Sequence, residues 1–170
     1  TETEVSDKTK IFLGAREAYV EKSGSKFCPQ FQVMHSLGND DNIYLNVNRS
    51  MRAPHVNEQW GTSTQLMNPD LKAENGWNYE FGWKKKLAAD ELFKVNLYHM
   101  DINDRIYSQR NYNGSGKNMY LNANKYRNTG VEVSYEKAAS EKFSYNVGVS
   151  YGNPEQKLAK GDWQRVDFKL

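Results

Sequence analysis

The side chains that could do chemistry are few and dispersed. His35, His55 and His99 are the only histidines, and no two of them have the spacing of a metal-ligand pair. A single cysteine, Cys28, excludes an internal disulfide and a cysteine-built metal site. Nothing around it suggests activation. Asp101-Ile102-Asn103-Asp104 lacks the spacing and turn glycine of a calcium loop. Asp40 and Asp41 sit in a turn-like stretch and read as solvated carboxylates. Nucleophile-elbow, P-loop and dinucleotide fingerprints are missing, and the Ser, His and Asp residues have no pattern that would gather them into a triad. The expectation is a non-enzyme without a cofactor. What remains is recognition. Trp60, Tyr107, Arg110 and Tyr112 fall in long polar connections. Aromatic rings with an arginine could grip a bulky anionic chelate by stacking and charge; ordinary loop packing is the alternative account of the same residues.

The elements that would position these residues are strands. In W77-N-Y-E-F-G-W83 the large aromatics Trp77, Tyr79, Phe81 and Trp83 alternate with Asn78, Glu80 and Gly82. An extended chain sends alternate side chains to opposite faces, so one face is an aromatic column and the other is small or polar. The same period of two recurs and predicts eight strands, at about 10–20, 27–36, 42–51, 77–87, 91–100, 126–137, 142–152 and 162–170. A sustained helical period is found nowhere, and the chain reads as all-β. Its 170 residues suffice for one domain. The net charge of +2 with scattered Lys and Arg argues against nucleic acid as partner. The mean hydropathy is −0.89, and no apolar run approaches the length of a membrane helix. The first residue is Thr rather than Met, as expected of a processed chain or a piece of a longer one.

Three features favour a membrane barrel over a soluble sandwich. The expected connections alternate in length: 37–41, 87–91 and 137–142 are tight, whereas 20–26, 52–76, 107–125 and 153–161 are longer. Short turns at one end and long loops at the other are the habit of outer-membrane barrels. Several strands reach about 10 residues, the length that crosses a bilayer at a tilt. Trp77, Tyr135, Phe143 and Tyr151 lie near the ends of apolar faces, where interfacial girdles form. The aromatic column would then face lipid, with Asn78, Glu80, Gly82 and Lys84 facing a polar lumen. Glu80, Glu132, Glu136 and Asp167, with Lys84, Lys94, Arg165 and Lys169, are the expected lumen charges, and Cys28 would also point inward.

Between Phe27 and Glu74 the chain reads F-C-P-Q-F-Q-V, then N-I-Y-L-N-V-N-R-S-M-R-A-P, then N-P-D-L-K-A-E. This succession resembles the barrel of TonB-dependent outer-membrane receptors. There, an "F-S-P-R-F-G" strand precedes "S-R-G-F-R-A-P", an acidic residue and "N-P-D/N-L-K-P-E". The matching positions include Arg49, Arg52, Ala53, Pro54, Glu58, Asn68, Pro69, Leu71, Lys72 and Glu74. Tyr79–Gly82, Val95–Ile106 and Gly130–Glu132 continue the likeness in order. Met51 and Ala73 replace the usual Phe and Pro.

The resemblance implies an antiparallel up-and-down transmembrane β-barrel, here about eight strands of a wall that has about 22 in the family. It implies an outer-membrane location, contact with outer-membrane lipid, and a parent receptor that takes up a ferric siderophore, haem or cobalamin. Loop residues Arg52, His55, Trp60, Tyr107, Arg110 and Tyr112 are the candidate ligand contacts. His55 lies between the two motifs, where haem-taking members carry a histidine, although at their edge; a plain rim histidine is the alternative. Neither a plug domain nor a TonB box is recognisable, and 162–170 lacks the usual terminal aromatic. The chain is therefore expected to be one barrel segment, 1–170, without a plug. Contact with TonB would run only through other regions, and the segment alone should not transport. Two alternatives stay open: a small self-closed eight-stranded barrel with a structural or adhesive role, and a soluble lipocalin-like ligand-binding barrel.

Overall fold

The computed structural model describes residues 2–140, 143–158 and 161–166. The strands are β1 (Glu2–Ser6), β2 (Thr9–Val20), β3 (Gly24–Gly38), β4 (Asp41–Arg52), β5 (Gln65–Leu66), β6 (Glu74–Ala88), β7 (Glu91–Gln109), β8 (Asn118–Ser140), β9 (Phe143–Lys157) and β10 (Gln164–Arg165). One short helix, α1 (Val56–Trp60), lies in the 53–73 connection. Neighbours along the chain are neighbours in one antiparallel meander, β1-β2-β3-β4-β6-β7-β8-β9-β10, and β5 adds a parallel pair to β8. Among the described residues no ladder joins β1 to β9 or β10, so the self-closed eight-stranded barrel lacks its closing pair.

Four boundaries differ from the sequence expectation. Residues 2–6, expected to be non-strand, form β1 on the outer edge of β2. The 20–26 connection shrinks to a three-residue turn: Ser23 donates to the Val20 carbonyl at 2.9 Å, and Gly24 supplies the positive φ of 68° that leads back into β3. The 107–125 connection shrinks to 110–117, because β7 and β8 grow well past the membrane pattern as a two-stranded extension. The 153–161 connection shrinks to 158–163, because β9 continues to Lys157. The eighth expected strand is represented by β10 alone; Asp167 and Lys169 lie outside the described residues. The tight turns at 39–40 and 89–90 are where expected; of the third, expected at 137–142, residues 137–140 continue β8 and 141–142 lie outside the described residues. At 39–40 both Asn39 and Asp40 take left-handed φ (54° and 58°), as a two-residue hairpin turn requires.

Register sorts the two faces. Directly paired residues share a face, and the row Leu13, Phe31, Val47, Tyr79 follows from the ladders β2–β3, β3–β4 and β4–β6. Continuing across, Phe81 pairs with Leu97, Leu97 with Val131 and Val131 with Tyr151. This face carries a protein's worth of large apolar side chains left uncovered: Leu13 is 57% exposed, Phe81 45%, Val149 74% and Tyr151 60%. Water tolerates no such continuous surface on a soluble monomer, whereas hydrocarbon does. The belt has charged borders. On β7 it runs from Glu91, ion-paired to Lys137, to Asp101, which pairs in register with Arg127. Those ten residue steps span about 33 Å along a strand and about 25 Å vertically at a tilt near 40°, the height of an outer-membrane apolar band. Trp83 ends the belt at the short-turn rim, donating its indole N–H to Asp41 (2.5 Å) and meeting Phe93 edge-on. Trp77 and Tyr79, stacked with centroids 6.3 Å apart, end it at the other.

The opposite face is polar, as the alternation predicts. Lys94 pairs with Glu136 there at 2.5 Å. Arg165 is a correction: it registers with Glu155, which registers with Arg127, and this places it on the belt side, in the row that borders the apolar belt, rather than in the lumen. Two tyrosines lie flat on the polar wall over glycines. A Cβ on Gly82 would stand 2.1 Å from the Tyr44 ring, whose hydroxyl meets Asn96 Oδ1 at 3.2 Å. Tyr98 covers Gly130 and Gly152 in the same way, with its hydroxyl 2.4 and 2.8 Å from their ideal Cβ positions.

Candidate binding surface at the long-loop rim

The fully buried core is small and sits above the membrane pattern. Leu71 (0% exposed) and Ala73 lie in the 53–73 connection, and Ala123, Ile106 and Tyr126 lie in the β7–β8 extension. An excursion of this length must satisfy its own backbone groups. It does so by binding to that extension. Where β9 stops pairing with β8, at Lys157, β5 takes over beside Asn118 and Met119. Asn68 donates its amide to the Tyr120 carbonyl (2.8 Å) and accepts the Asp70 N–H (3.3 Å). Asn122 closes a two-way amide pair with Lys72, accepting its N–H and donating to its carbonyl, both at 3.0 Å. The Ser23 hydroxyl accepts the Ala73 N–H at 2.7 Å.

Charge anchors the other end. Arg52, the last residue of β4, meets Glu74, the first of β6, in a two-pronged pair: Nε to Oε2 at 2.9 Å and Nη2 to Oε1 at 3.1 Å. Its Nη1 donates to Glu58 at 3.1 Å, and Glu58 also accepts the His55 backbone N–H at 2.8 Å, holding the first turn of α1. Glu74 has a third task. β7 outruns β6, so the N–H of Ile106 has no strand opposite it; Glu74 Oε1 accepts it at 2.6 Å. Asp104, with φ of 56°, marks the irregularity where β6 ends, and Asn122 Nδ2 caps its carbonyl at 2.6 Å. One guanidinium thus organises two carboxylates, and its hydrogen bonds to Glu74 raise its proton affinity further above the usual arginine range.

These contacts assign the motif residues. Arg52, Glu58, Asn68, Leu71 and Glu74 are brought together as the fastening of one loop. Pro69 contributes a carbonyl that accepts from Lys22 Nζ, at 2.5 Å. Ala53 and Pro54 are the link from β4 into α1. The remaining candidates stand around the fastening. His55 is exposed at the start of α1, and Trp60 at its end is 61% exposed. Tyr107 and Tyr112 are close enough for each other's charge to matter, and burial, with Tyr112 next, pushes the Tyr107 hydroxyl above the usual phenol range. Arg110 is exposed at the start of the 110–117 loop. Trp60 and Arg110 make no hydrogen bond, ion pair or ring contact among the described residues, where His35, His55, His99 and Cys28 also form no metal cluster. Asn122 and Ser23 were invisible to motif reading. Each is an ordinary polar residue in a strand or turn, and only the folded register shows what it holds.

Comparison with known proteins agrees with this geometry. Residues 2–168 match the β-barrel of TonB-dependent receptor-like proteins. The fold is similar to that of the siderophore receptor PirA from Pseudomonas aeruginosa, with TM-score 0.73 and 18% identity over 91% of this chain and 33% of that one. It is similar also to the ferric enterobactin receptor PfeA of Pseudomonas aeruginosa (TM-score 0.66, 14% identity, 95% of this chain and 29% of that one). The FrpB iron transporter from Neisseria meningitidis gives TM-score 0.63 at 18% identity, over 91% of this chain and 25% of that one. The chain therefore spans between a quarter and a third of the length of these structures, and at such identities the likeness is one of fold. An antiparallel meander with a lipid-height apolar belt, a polar inner wall and a loop fastened by Arg52 and Glu74 belongs to the β-barrel family of TonB-dependent receptors, which are proteins of the bacterial outer membrane.

Proposed function

We propose that residues 1–170 form a single segment of the wall of a receptor barrel that takes up a scarce nutrient, a ferric siderophore, haem or cobalamin, with a plug and the TonB contact supplied from outside this segment. The observation that carries the proposal is the rim. A long loop is clamped to a rigid two-stranded extension by Arg52, Glu58, Asn68 and Glu74, while Trp60 and Arg110 stay exposed without a side-chain partner among the described residues and His55 is exposed at the N-cap of α1. A rigid mount with free aromatic and cationic side chains suits capture of a bulky anionic chelate. The printed names of the similar structures, siderophore receptor, ferric enterobactin receptor and iron transporter, support the same class of cargo. A wall segment binds but does not transport, because movement of cargo needs a gated lumen.

The test is a fluorescence titration of the chain folded in detergent, with ferric siderophores of catecholate and hydroxamate type, haem and cobalamin as separate probes. One chelate class should quench the exposed Trp60 saturably, and Trp60→Phe should remove that quenching. Arg110→Gln should weaken the binding several-fold. Equal, non-saturating quenching by all probes would overturn the proposal.

A further inference from the structure

The two borders of the apolar belt are charged differently. At the short-turn rim each belt-side cation among the described residues has its carboxylate: Lys85 with Asp41 at 3.9 Å and Lys137 with Glu91 at 2.6 Å. At the long-loop rim they do not balance. From β7 to β10 the belt-side positions there carry Arg127, Arg165, Lys125 and Lys157 against Asp101 and Glu155. Glu155 is taken by Arg127 (2.7 Å), whose guanidinium also lies 4.2 Å from the Trp163 ring centre, and Asp101 meets His99 at 3.2 Å. Lys125 and Lys157 stand directly opposite one another in the β8–β9 ladder, and neither has a carboxylate partner among the described residues. Like charges opposite each other in a sheet repel. A pair of that kind is stabilised by an anion shared between the two ammonium groups.

Their height says which anion. The lysines lie two residues beyond the Arg127 row that borders the belt, about 7 Å along the strand and about 5 Å vertically at a barrel tilt. That is headgroup depth, since headgroup layers add roughly 5–7 Å to each side of the hydrocarbon. We propose that Lys125 and Lys157, with Arg165 beside them, form a docking site on the outer wall for the phosphate of an anionic lipid headgroup in the long-loop leaflet. This site is separate from the rim loops that would hold a nutrient, and it stands whether or not those loops bind one.

The test measures transfer of fluorescent lipid A into nonionic-detergent micelles holding the folded chain. A membrane-level lysine contributes about fivefold to attraction for an anionic lipid surface, so K125Q/K157Q should bind about 25-fold more weakly. K85Q/K137Q, which strips the same number of cations from the opposite rim, should bind as the parent does. Both exchanges sit at exposed or half-exposed positions, and tryptophan emission confirms that each variant is folded. Lipid A stripped of its phosphates should bind the parent as weakly as intact lipid A binds K125Q/K157Q. An equal loss in both double variants would reduce the effect to net charge and overturn the site. Undiminished binding of the dephosphorylated lipid would overturn the phosphate assignment. Full competition by millimolar inorganic phosphate would show a free-anion site instead of a lipid site.

Discussion

Glu74→Ala should release the long loop without disturbing the membrane wall. Glu74 accepts from Arg52 twice and from the Ile106 N–H once, and its side chain is only 14% exposed. Arg52 is 38% exposed and keeps Glu58, so loss of the two-pronged pair costs about 1 kcal/mol once solvent screening is counted. The Ile106 amide has no such refuge. Its residue is 8% exposed, and an orphaned buried donor costs about 1–3 kcal/mol. The sum is about 3 kcal/mol, or roughly 100-fold in the local opening equilibrium. Hydrogen–deuterium exchange with mass spectrometry, on the chain folded in detergent, reads this directly. Peptides covering 104–107 and 53–73 should exchange about 100-fold faster, while those covering 43–47 and 79–83 in the belt should not change. Glu74→Gln keeps an acceptor for the amide and should give a loss nearer tenfold. Unchanged exchange at Ile106, or an equal rise in the belt peptides, would refute the reasoning that Glu74 caps an edge left open by β6.

Other expectations follow from the same structure. Asn68→Ala removes the bond to the Tyr120 carbonyl and the turn bond to Asp70; it should cost about 1–2 kcal/mol and open the exposed 62–64 stretch to limited proteolysis. Leu97→Arg puts a charge near mid-belt and should destabilise the folded state by about 2–4 kcal/mol in lipid, whereas Glu132→Gln on the lumen side should change it little; denaturant titration in vesicles separates the two. Gly82→Ala drives Tyr44 off the wall and costs about 1–3 kcal/mol, and the same exchange in a Tyr44→Ala background should cost far less, as a double-mutant cycle would show. Tyr107 holds its proton more tightly folded than unfolded. The stability it contributes is therefore complete below the unfolded phenol value of about 10 and is lost as pH rises through the higher folded value. Tyr107→Phe should remove one step from the part of an ultraviolet alkaline titration that lies above the usual phenol range.

The membrane wall was legible in the sequence because its determinant is local. Alternation at Trp77–Trp83, Phe93–Leu97 and Val147–Tyr151 assigns both faces without knowledge of any partner strand. Alternation failed where lipid stops dictating residue type. Tyr107 and the stretch from Asn118 to Lys125 are strand by virtue of pairing with each other, and residues 118–125 carry no apolar period strong enough to announce it. The turn at 21–23 and strand β1 were missed for a related reason, since their polar residues resemble loop when read singly. At the rim, the motif positions Arg52, Glu58, Asn68 and Glu74 were found but their task was not. Order along a chain reveals that residues belong together; it does not say whether they grip a ligand or one another. Asn122 carried no signal at all, because its two partners are backbone groups some 50 and 18 residues away.

The tyrosines over glycines bear on how the sheet finds its pairing. Alternation of apolar and polar residues forbids a slip of one position, which would turn every side chain around, but it is indifferent to a slip of two. Tyr44 sits opposite Gly82, between Glu80 and Lys84 on the same face, and Tyr98 sits opposite Gly130 with Gly152 beyond. Moving β6 by two residues in either direction would bring a Cβ and a charged side chain under a ring that now rests on bare backbone. The glycines therefore act as sockets that accept one alignment out of a ladder of otherwise equivalent ones. A wall built from such long strands would be slow to correct an error once inserted in lipid, and the sockets on its wet side settle the alignment of β4 with β6, and of β7 with β8 and β9, before that point.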